Sequence, residues 1–398
     1  MRALAAVLLL GLTAIGCQGA GNAASRPDII IASDLPTSAN ADVLPLEEAI
    51  GFAIRQHPTI EGYRLAYWSL DNSLGAAQSQ LRGRENVKRM IADPSVLGMV
   101  GPHTSNIARV QMPEANSAHL AMVSPTTTYS CLTVHEAFCK QTPASLRPSG
   151  SNNYFRITPR DPLQGRAMAK YAATKLGLRR ASAFNEFGPE GDLYMNEFAK
   201  EFGIHGGGVV YQQTFDDTPS NFSAFLIQAK ARGADAIYGV ASVDQNACKA
   251  AAQMAGIIPG ATLLGTDGFL DDRCIRDMGA TPPGVWATSP DVDPTTSADL
   301  GVKKQVADYR KAYPKPSDVG PYTFAAYDCA RILIEAIRIA IRANGGHIPT
   351  RTQVVAALAS NRFVGVTGTY NFDENGDAET PMMSMYKVQD GHWVNVPL

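Results

Sequence analysis

Short apolar runs alternate with longer amphipathic stretches along most of this chain, and the alternation predicts repeated strand-helix-strand units. Strands are predicted at 28–32 and 96–101, where the residues after Asp28 and all those of the second run are apolar or Gly, whereas residues 46–57 repeat their apolar positions at helical spacing. Further strands are predicted at 63–69, 120–124, 154–157, 181–184, 208–213, 236–240 and 262–265, and further helices at 75–91, from 105, and at 163–176, 192–202, 222–232 and 245–255. Because such strands pair into largely parallel sheets with helices on both faces, the predicted fold class is α/β.

The alternation is interrupted once and changes character in the last third of the chain. A loop rich in Pro, Ser and Cys spans 125–153, and a second α/β unit is predicted to begin near residue 158. After a strand at 285–288, helices are predicted at 299–313, 322–342 and 351–359, without the strands that a third sheet would need. We therefore expect these helices to pack on an existing unit. The tail 369–396 predicts antiparallel strands joined by the turn at 373–377.

The first residues resemble an export signal. An apolar run at 3–15 follows Arg2 and ends at Gly16-Cys17, and it is too short to span a membrane. A small residue before Cys resembles the lipobox of bacterial lipoproteins, so residues 1–17 are expected to form a lipoprotein signal with Cys17 as the lipidated residue, followed by a linker at 18–27. The alternative is an ordinary signal peptide cut near residues 20–24. Either way the protein is expected outside the cytoplasm.

Composition narrows the class of protein. A length of 398 residues predicts two domains, and 45% hydrophobic against 18% charged residues predicts a globular chain. Since 35 Lys and Arg balance 37 Asp and Glu without a basic run, nucleic acid is not an expected partner. The sequence contains no GxSxG, GxxxxGK[ST] or GxGxxG motif in the required context, so no enzyme activity and no cofactor are predicted. Scattered His and the lack of CxxC argue against a metal site.

Five cysteines follow Cys17, an odd number for an oxidising compartment. The economical pairing joins Cys131 to Cys139 and Cys248 to Cys274. Cys329 lies in an apolar stretch, where a buried thiol behaves as a small hydrophobic residue. We therefore expect two disulfides and one free core cysteine.

Polar residues collect where strands end and helices begin, which is where open α/β sheets bind ligands. Thr104 and Ser105 follow one predicted strand and open a helix, and Ser124, Thr126 and Thr128 follow the next. Each group could act in helix capping alone. Their occurrence at successive strand ends favours a site for a small carboxylate.

At these residues the chain resembles the type 1 periplasmic binding fold, in the leucine/isoleucine/valine-binding branch of solute-binding proteins that feed ABC importers. The motifs that carry the resemblance, from residue 28 to about 396, are Val100-Gly101-Pro102 with Ser105, Val123-Ser124-Pro125-Thr126-Thr127-Thr128, Tyr154-Phe155-Arg156 followed by Asp161-Pro162-Leu163-Gln164-Gly165, Gly265-Thr266-Asp267-Gly268, and Phe372-Asp373-Glu374-Asn375-Gly376-Asp377. The resemblance implies that Ser105, Thr126 and Thr128 bind an amino acid's carboxylate and that Asp267 binds its ammonium group.

The resemblance also implies the architecture and the partners. It predicts two lobes, 28–157 with 289–365 and 158–288 with 366–398, joined by three crossing strands, with the ligand in the cleft between them. The expected partners are the membrane permease of an ABC transporter and, through the lipid anchor, the membrane itself. The protein is expected to be a monomer. A sensor of the same fold that signals to a membrane protein is the alternative. Phe187 occupies the position of one aromatic residue of the family, and Ala241 replaces another. The identity of the ligand's side chain is therefore left open.

We predict that Cys17→Ala releases the protein from the membrane fraction, because Cys17 is the expected site of lipidation. Fractionation of cells that express each form measures the change, and labelled fatty acid should enter only the wild-type protein. If the wild-type protein never takes up the label, the prediction of a lipid anchor at Cys17 is wrong.

Overall fold

The computed structural model describes residues 28–215, 219–241, 247–279, 284–380 and 382–396. Its strands are β1 (Ile29–Leu35), β2 (Thr59–Ile60), β3 (Tyr63–Asp71), β4 (Ser73–Leu74), β5 (Ala77–Gln78), β6 (Val96–Val100), β7 (Ala121–Ser124), β8 (Tyr154–Arg156), β9 (Arg180–Asn185), β10 (Gly208–Thr214), β11 (Ala236–Val240), β12 (Thr262–Gly265), β13 (Val285–Ser289), β14 (Phe363–Val364), β15 (Thr369–Tyr370), β16 (Ser384–Gln389) and β17 (His392–Val396). Its α-helices are α1 (Leu44–Gln56), α2 (Gln80–Ala92), α3 (Ser105–Ser117), α4 (Pro162–Thr174), α5 (Pro189–Ile204), α6 (Ser223–Ala231), α7 (Ala247–Ile257), α8 (Asp272–Met278), α9 (Leu300–Ala312), α10 (Thr323–Ala343) and α11 (Arg351–Ser360). Cys17 and the predicted helix start at 245 lie outside the described residues.

The first sheet has six strands in the order β2-β3-β1-β6-β7-β8. Strands β3, β1, β6, β7 and β8 run parallel, and β2 pairs antiparallel with β3. Every residue of β1 and β6 is buried, as expected for parallel strands covered on both faces. The carboxyl ends of β1, β6 and β7 therefore lie side by side at one edge of the sheet.

The second sheet has seven strands in the order β10-β9-β11-β12-β13-β16-β17. Its first five strands are parallel, β16 pairs antiparallel with β13, and β17 pairs antiparallel with β16. The C-terminal hairpin thus extends a sheet whose other strands come from the middle of the chain. Two sheets with alternating helices confirm the predicted α/β class.

The helices of the last third pack on the unit that contains the first sheet. α10 packs against α1, β6 and β7, and it buries Ile334, Ile337 and Ile341 in the same core as Ile29 and Val100. On the opposite face of the sheet, a second core forms around residues of α2 and α3. The lobe boundaries given above stay predictions.

The predicted helix at 75–91 begins later than expected, so that prediction was wrong at its start. Residues 73–78 form a small hairpin of β4 and β5, in which Gly75 has a φ of +64°. α2 begins only at Gln80, because the Ser79 side chain caps it by accepting a hydrogen bond from the Arg82 amide.

The turn at 373–377 does not join the C-terminal hairpin, which corrects a second prediction. It closes a single antiparallel bridge, whereas the hairpin of β16 and β17 turns at Asp390 and Gly391, whose φ angles are +53° and +76°. β15 pairs with β14 instead of with the tail. The physical reason is that Asp377, at the end of the turn, is bound to the first sheet by an ion pair.

The two expected cysteine pairs are joined in the structure. Cys131 is bonded to Cys139, and Cys248 is bonded to Cys274, which links α7 to α8. Cys329 is a free, fully buried thiol on α10, and burial raises its pKa well above the ordinary value. A thiol of this kind is unreactive and acts as a core residue.

The ion pair made by Asp377 joins the turn at 373–377 to Arg156, the last residue of β8. Arg156 is 0% exposed, and its Nε donates to the Asp377 carboxylate at 2.7 Å. Its other nitrogens donate to the carbonyl oxygens of Thr127 and Tyr129 and to the hydroxyl of Thr133. Because a buried charge is costly unless it is paired and hydrogen-bonded, this arrangement stabilises one conformation of the loop that follows β7.

Asp377→Asn should destabilise the protein by about 3–5 kcal/mol, because it leaves the buried Arg156 charge without a counter-charge. The matched control is Asp308→Asn, which removes the exposed pair with Lys304 and should cost less than about 1 kcal/mol. Urea unfolding followed by circular dichroism measures both losses. Similar losses in the two variants would contradict the structural role of the Arg156 pair.

Candidate functional site

Two loops that follow neighbouring strands meet at the carboxyl edge of the first sheet. Gly101 turns the chain after β6 with a φ of +119°, a conformation that side-chain-bearing residues rarely adopt. The Ser124 hydroxyl donates to the Pro102 carbonyl at 3.0 Å, and the Thr126 hydroxyl donates to the His103 carbonyl at 2.6 Å. These bonds hold the two loops together beside the start of α3.

A cavity of about 360 Å³ opens next to the two loops. Three of the predicted ligand residues line it, and they face acidic residues that the sequence analysis did not assign to the site. The lining residues are Thr104, Ser105, Asn106, Arg109, Thr128, Tyr129, Phe138, Lys140, Asp161 and Glu190. Since Ser105 follows β6 of the first sheet and Glu190 follows β9 of the second, the cavity lies between the two units.

The first turn of α3 presents its positive end to the cavity. Thr104 is the N-cap residue but makes no capping bond, because its hydroxyl donates to the Gln78 side chain at 2.6 Å. The Ser105 hydroxyl accepts a hydrogen bond from the Tyr129 amide at 3.3 Å, which leaves its own proton to donate. Amide groups in the first turn of a helix lack intrahelical acceptors, so this end of α3 can bind a small anion.

Four predicted ligand residues lie outside the described lining of the cavity. Ser124 is fully buried, and its hydroxyl also accepts from Thr127, so this side chain supports the loop. Thr126 is half-buried and bonded to His103, as described above. Phe187 is 39% exposed at the start of the turn before α5. The fourth residue, Asp267, is close enough to Asp161 for the two carboxyl groups to interact.

Asp267 is held by a glutamine rather than by a cation. The Gln164 side chain donates to the Asp267 carboxylate at 2.8 Å and accepts from the Asp267 amide at 3.1 Å. Burial raises the pKa of Asp267 against the lowering effect of the Gln164 bond, the charge of Asp161 adds to the increase, and the resulting pKa is about 6. A half-buried carboxyl in this state would gain from a cationic partner.

Asp161 and Glu190 bring two further carboxyl groups to the cavity. Asp161 is 7% exposed at the start of α4, and its amide donates to the Thr128 carbonyl at 3.0 Å. Burial and the hydrogen-bonded Asp161 carboxyl raise the pKa of Glu190 to about 8. Asp161 belongs to a motif noted in the sequence, whereas Glu190 follows Phe187-Gly188 without any pattern that marks it as a site residue.

Tyr322 was also missed by the sequence analysis. It adopts a left-handed conformation with a φ of +62° just before α10, and its amide donates to the Asp291 carboxylate at 2.7 Å. Burial and the charge of Asp267 raise the pKa of Tyr322 well above its usual range, and Asp161 adds to the effect. A strained backbone held in place beside the acidic groups is typical of a functional position.

The described ranges contain no metal site, and they contain other depressions besides the cavity at Ser105. Within them, no group of three or more His, Cys, Asp or Glu side chains is placed to hold a metal ion. A larger depression of about 700 Å³ lies along α4, where it is lined by Lys170, Tyr171 and Met382 among others. That depression is built on the second unit alone. In the same ranges, no helix has the length and apolar character to cross a membrane.

Comparisons with known proteins agree with this architecture. Residues 46–392 match the sequence model of the periplasmic binding protein family. A Leu/Ile/Val-binding protein homolog from Brucella suis is 24% identical over 241 residues, which cover 60% of this chain and 61% of that relative, less than two thirds of its length.

Solved structures show the same fold. An ABC transporter substrate-binding protein from Desulfitobacterium hafniense, in complex with Leu, has a TM-score of 0.73 at 20% identity and covers 92% of this chain and 99% of its own. A solute binding protein from R. palustris, in complex with 4-hydroxybenzoate, has a TM-score of 0.69 at 18% identity, with 93% and 96% covered. The predicted two-lobed fold of type 1 periplasmic binding proteins is thereby confirmed.

Glu190→Gln should stabilise the ligand-free protein at pH 8.5 by about 1–2 kcal/mol and have little effect at pH 5. The pKa of Glu190 is about 8 in the folded state, above the ordinary value of 4.5. Between these values the folded protein binds a proton that the unfolded chain has lost, so stability falls as the pH rises from 4.5 through 8. Glutamine removes this penalty.

Denaturant unfolding at the two pH values measures the effect. Glu85→Gln on the exposed face of α2 is the control and should give the same small change at both. A stabilisation by Glu190→Gln that is larger at pH 5 than at pH 8.5 would show that the carboxyl is not held in its neutral form.

Proposed function

Because this chain belongs to the periplasmic binding protein family, we propose that it binds a small carboxylate-bearing ligand, such as an amino acid, between its lobes and delivers it to an ABC importer. One observation carries the proposal: the uncapped first turn of α3, with Ser105, faces Asp161 and Glu190 across a single cavity. Donors on one wall and carboxyl groups on the other complement a zwitterion.

The carboxylate of the ligand would bind at the first turn of α3. The Ser105 hydroxyl and the amides of the first turn donate hydrogen bonds, and Thr128 adds a hydroxyl on the same wall. Two solved neighbours support this part of the proposal, because Leu and 4-hydroxybenzoate share a carboxylate and little else.

An ammonium group would bind on the acidic side. Asp161 and Glu190 line the cavity, and Asp267, whose pKa is raised to about 6, interacts with Asp161. A cation favours the ionised form of a carboxyl group, so binding of an ammonium group should release protons from these residues. A ligand without an amine would leave them protonated.

Binding would draw the two lobes together. Ser105 and Glu190 come from different sheets, and a ligand that touches both stabilises the arrangement in which they are close. We propose the crossing points near 157–159, 287–289 and 365–368 as the hinge, with lobes of 28–157 plus 289–365 and 158–288 plus 366–398. The protein would act as a monomer, exported and anchored through Cys17, and would hand its ligand to the permease.

Ser105→Ala should weaken binding roughly 10- to 150-fold, because a hydrogen bond to a charged group contributes about 1.5–3 kcal/mol. Asp267→Ala should weaken the binding of an amino acid at least as much, and it should be neutral for a carboxylate without an amine. Ser117→Ala, at the far end of the same helix, is the matched control and should change nothing.

Mass spectrometry of small molecules released from the protein identifies the compound, and calorimetric titration with that compound measures each variant. Unchanged affinity in both Ser105→Ala and Asp267→Ala would mean that the ligand binds elsewhere. Chemical conversion of the bound compound would contradict a binding role.

A further inference from the structure

Arg109 lies one turn beyond Ser105 on α3, and both residues line the cavity. Residues four apart share one face of a helix, and side chains lean towards its N-terminus. The Arg109 guanidinium is therefore directed along the same wall as the anion-binding turn. The resemblance to known proteins gave this residue no role.

The position of the guanidinium is set by contacts on one side only. Its Nε donates to the Gln141 side chain at 2.9 Å, and its central carbon lies 5.9 Å from the ring centre of Tyr129. Among the described residues, no acceptor binds its two terminal nitrogens. An arginine fork that is already oriented loses little conformational freedom when it binds a carboxylate, and it can bind one through two parallel hydrogen bonds.

The surrounding wall is polar and aromatic rather than aliphatic. Beyond Ser105 and Arg109 it contains Tyr129, Phe138 and Lys140, and the described part of the lining includes no Leu, Ile or Val side chain. Phe138 and Lys140 flank Cys139, so the disulfide that closes the loop to Cys131 keeps this wall in place. A branched aliphatic side chain would find few apolar partners here.

The charges of the lining favour an additional anion. Arg109 and Lys140 contribute two cations, and Asp161 contributes one carboxylate. Glu190 has a pKa of about 8 and is therefore mostly neutral at pH 7. The charge of Arg109 acts on Glu190 and lowers its pKa in part, but a zwitterion alone would place no anion on the two terminal nitrogens of the Arg109 guanidinium.

We propose that Arg109, with Lys140 beside it, binds a second anionic group of the ligand, so that the ligand is an acidic amino acid. The α-carboxylate would occupy the turn at Ser105, and the side-chain carboxylate would accept hydrogen bonds from the Arg109 fork. This inference rests on the proposed function and names the class of its ligand.

The test compares L-glutamate with L-glutamine, which has the same shape and lacks the second charge. Calorimetry on the wild-type protein should show L-glutamate binding more tightly. Arg109→Gln should weaken the binding of L-glutamate roughly 10- to 100-fold and the binding of L-glutamine less than about threefold. Arg84→Gln, which removes an equal charge on α2 outside the cavity lining, should leave both affinities unchanged.

Two outcomes overturn the inference while the proposed function stands. One is that L-leucine or L-glutamine binds as tightly as L-glutamate to the wild-type protein. The other is that Arg109→Gln weakens L-glutamate and L-glutamine equally, since Arg109 would then act on the α-carboxylate or on the fold. If Arg109→Gln fails to fold, Lys140→Gln replaces it. This variant should also weaken the binding of L-glutamate more than that of L-glutamine, by a smaller factor. An equal loss of affinity for both ligands would count against the inference.

A fourth probe separates this inference from the proposed function. Glutarate carries two carboxylates and no amine. Glutarate binding that depends on Arg109 supports the second anion site even if no amino acid binds. If none of the four compounds binds, the inference fails, and the proposed function is then tested with the compound that mass spectrometry identifies.

Discussion

The buried ion pair between Arg156 and Asp377 is the interaction on which the geometry of the site depends. It joins residues 221 positions apart in the chain, and it places a guanidinium where it can hold the carbonyl oxygens of Thr127 and Tyr129. Between those two residues lies Thr128, which lines the cavity, and the Tyr129 amide in turn holds the Ser105 hydroxyl. A buried charge that does not itself line the cavity thus fixes the wall that the ligand would touch, because these bonds offset its desolvation cost.

The opposite wall of the cavity is formed by carboxyl groups. Asp161, Glu190 and Asp267 bring three carboxyl groups together, and burial raises the pKa values of Glu190 and Asp267, although the charge of Arg109 partly opposes the increase at Glu190. Such groups are poorly solvated in the empty cavity, so a cationic group gains more from them than it would from exposed carboxylates. Internal hydrogen bonds therefore fix the position of the first wall, and both walls keep polar groups that a ligand can bind.

Much of the fold could be predicted because strands and helices are encoded by patterns of neighbouring residues. Buried parallel strands and amphipathic helices leave clear patterns, and the rule that ligands bind at the carboxyl ends of such strands led to Ser105 and Thr128. The same local reasoning failed at Gly75, where a short hairpin precedes the cap of α2, and at 373–377, where a distant ion pair decides what the turn contacts. Glu190, Arg109 and Tyr322 could not be found from sequence, because their place at the site depends on how two lobes and a disulfide loop meet.

Hydrogen exchange measured by mass spectrometry, with and without the compound that binds in calorimetry, tests most directly whether one cavity between the lobes binds the ligand. The account predicts that binding slows amide exchange in both lobes at once, at the start of α3 and the loop after β7 in the first, and at the starts of α4 and α5 in the second. Slower exchange confined to one lobe, for example only along α4 and near Met382 at the larger depression, would contradict it.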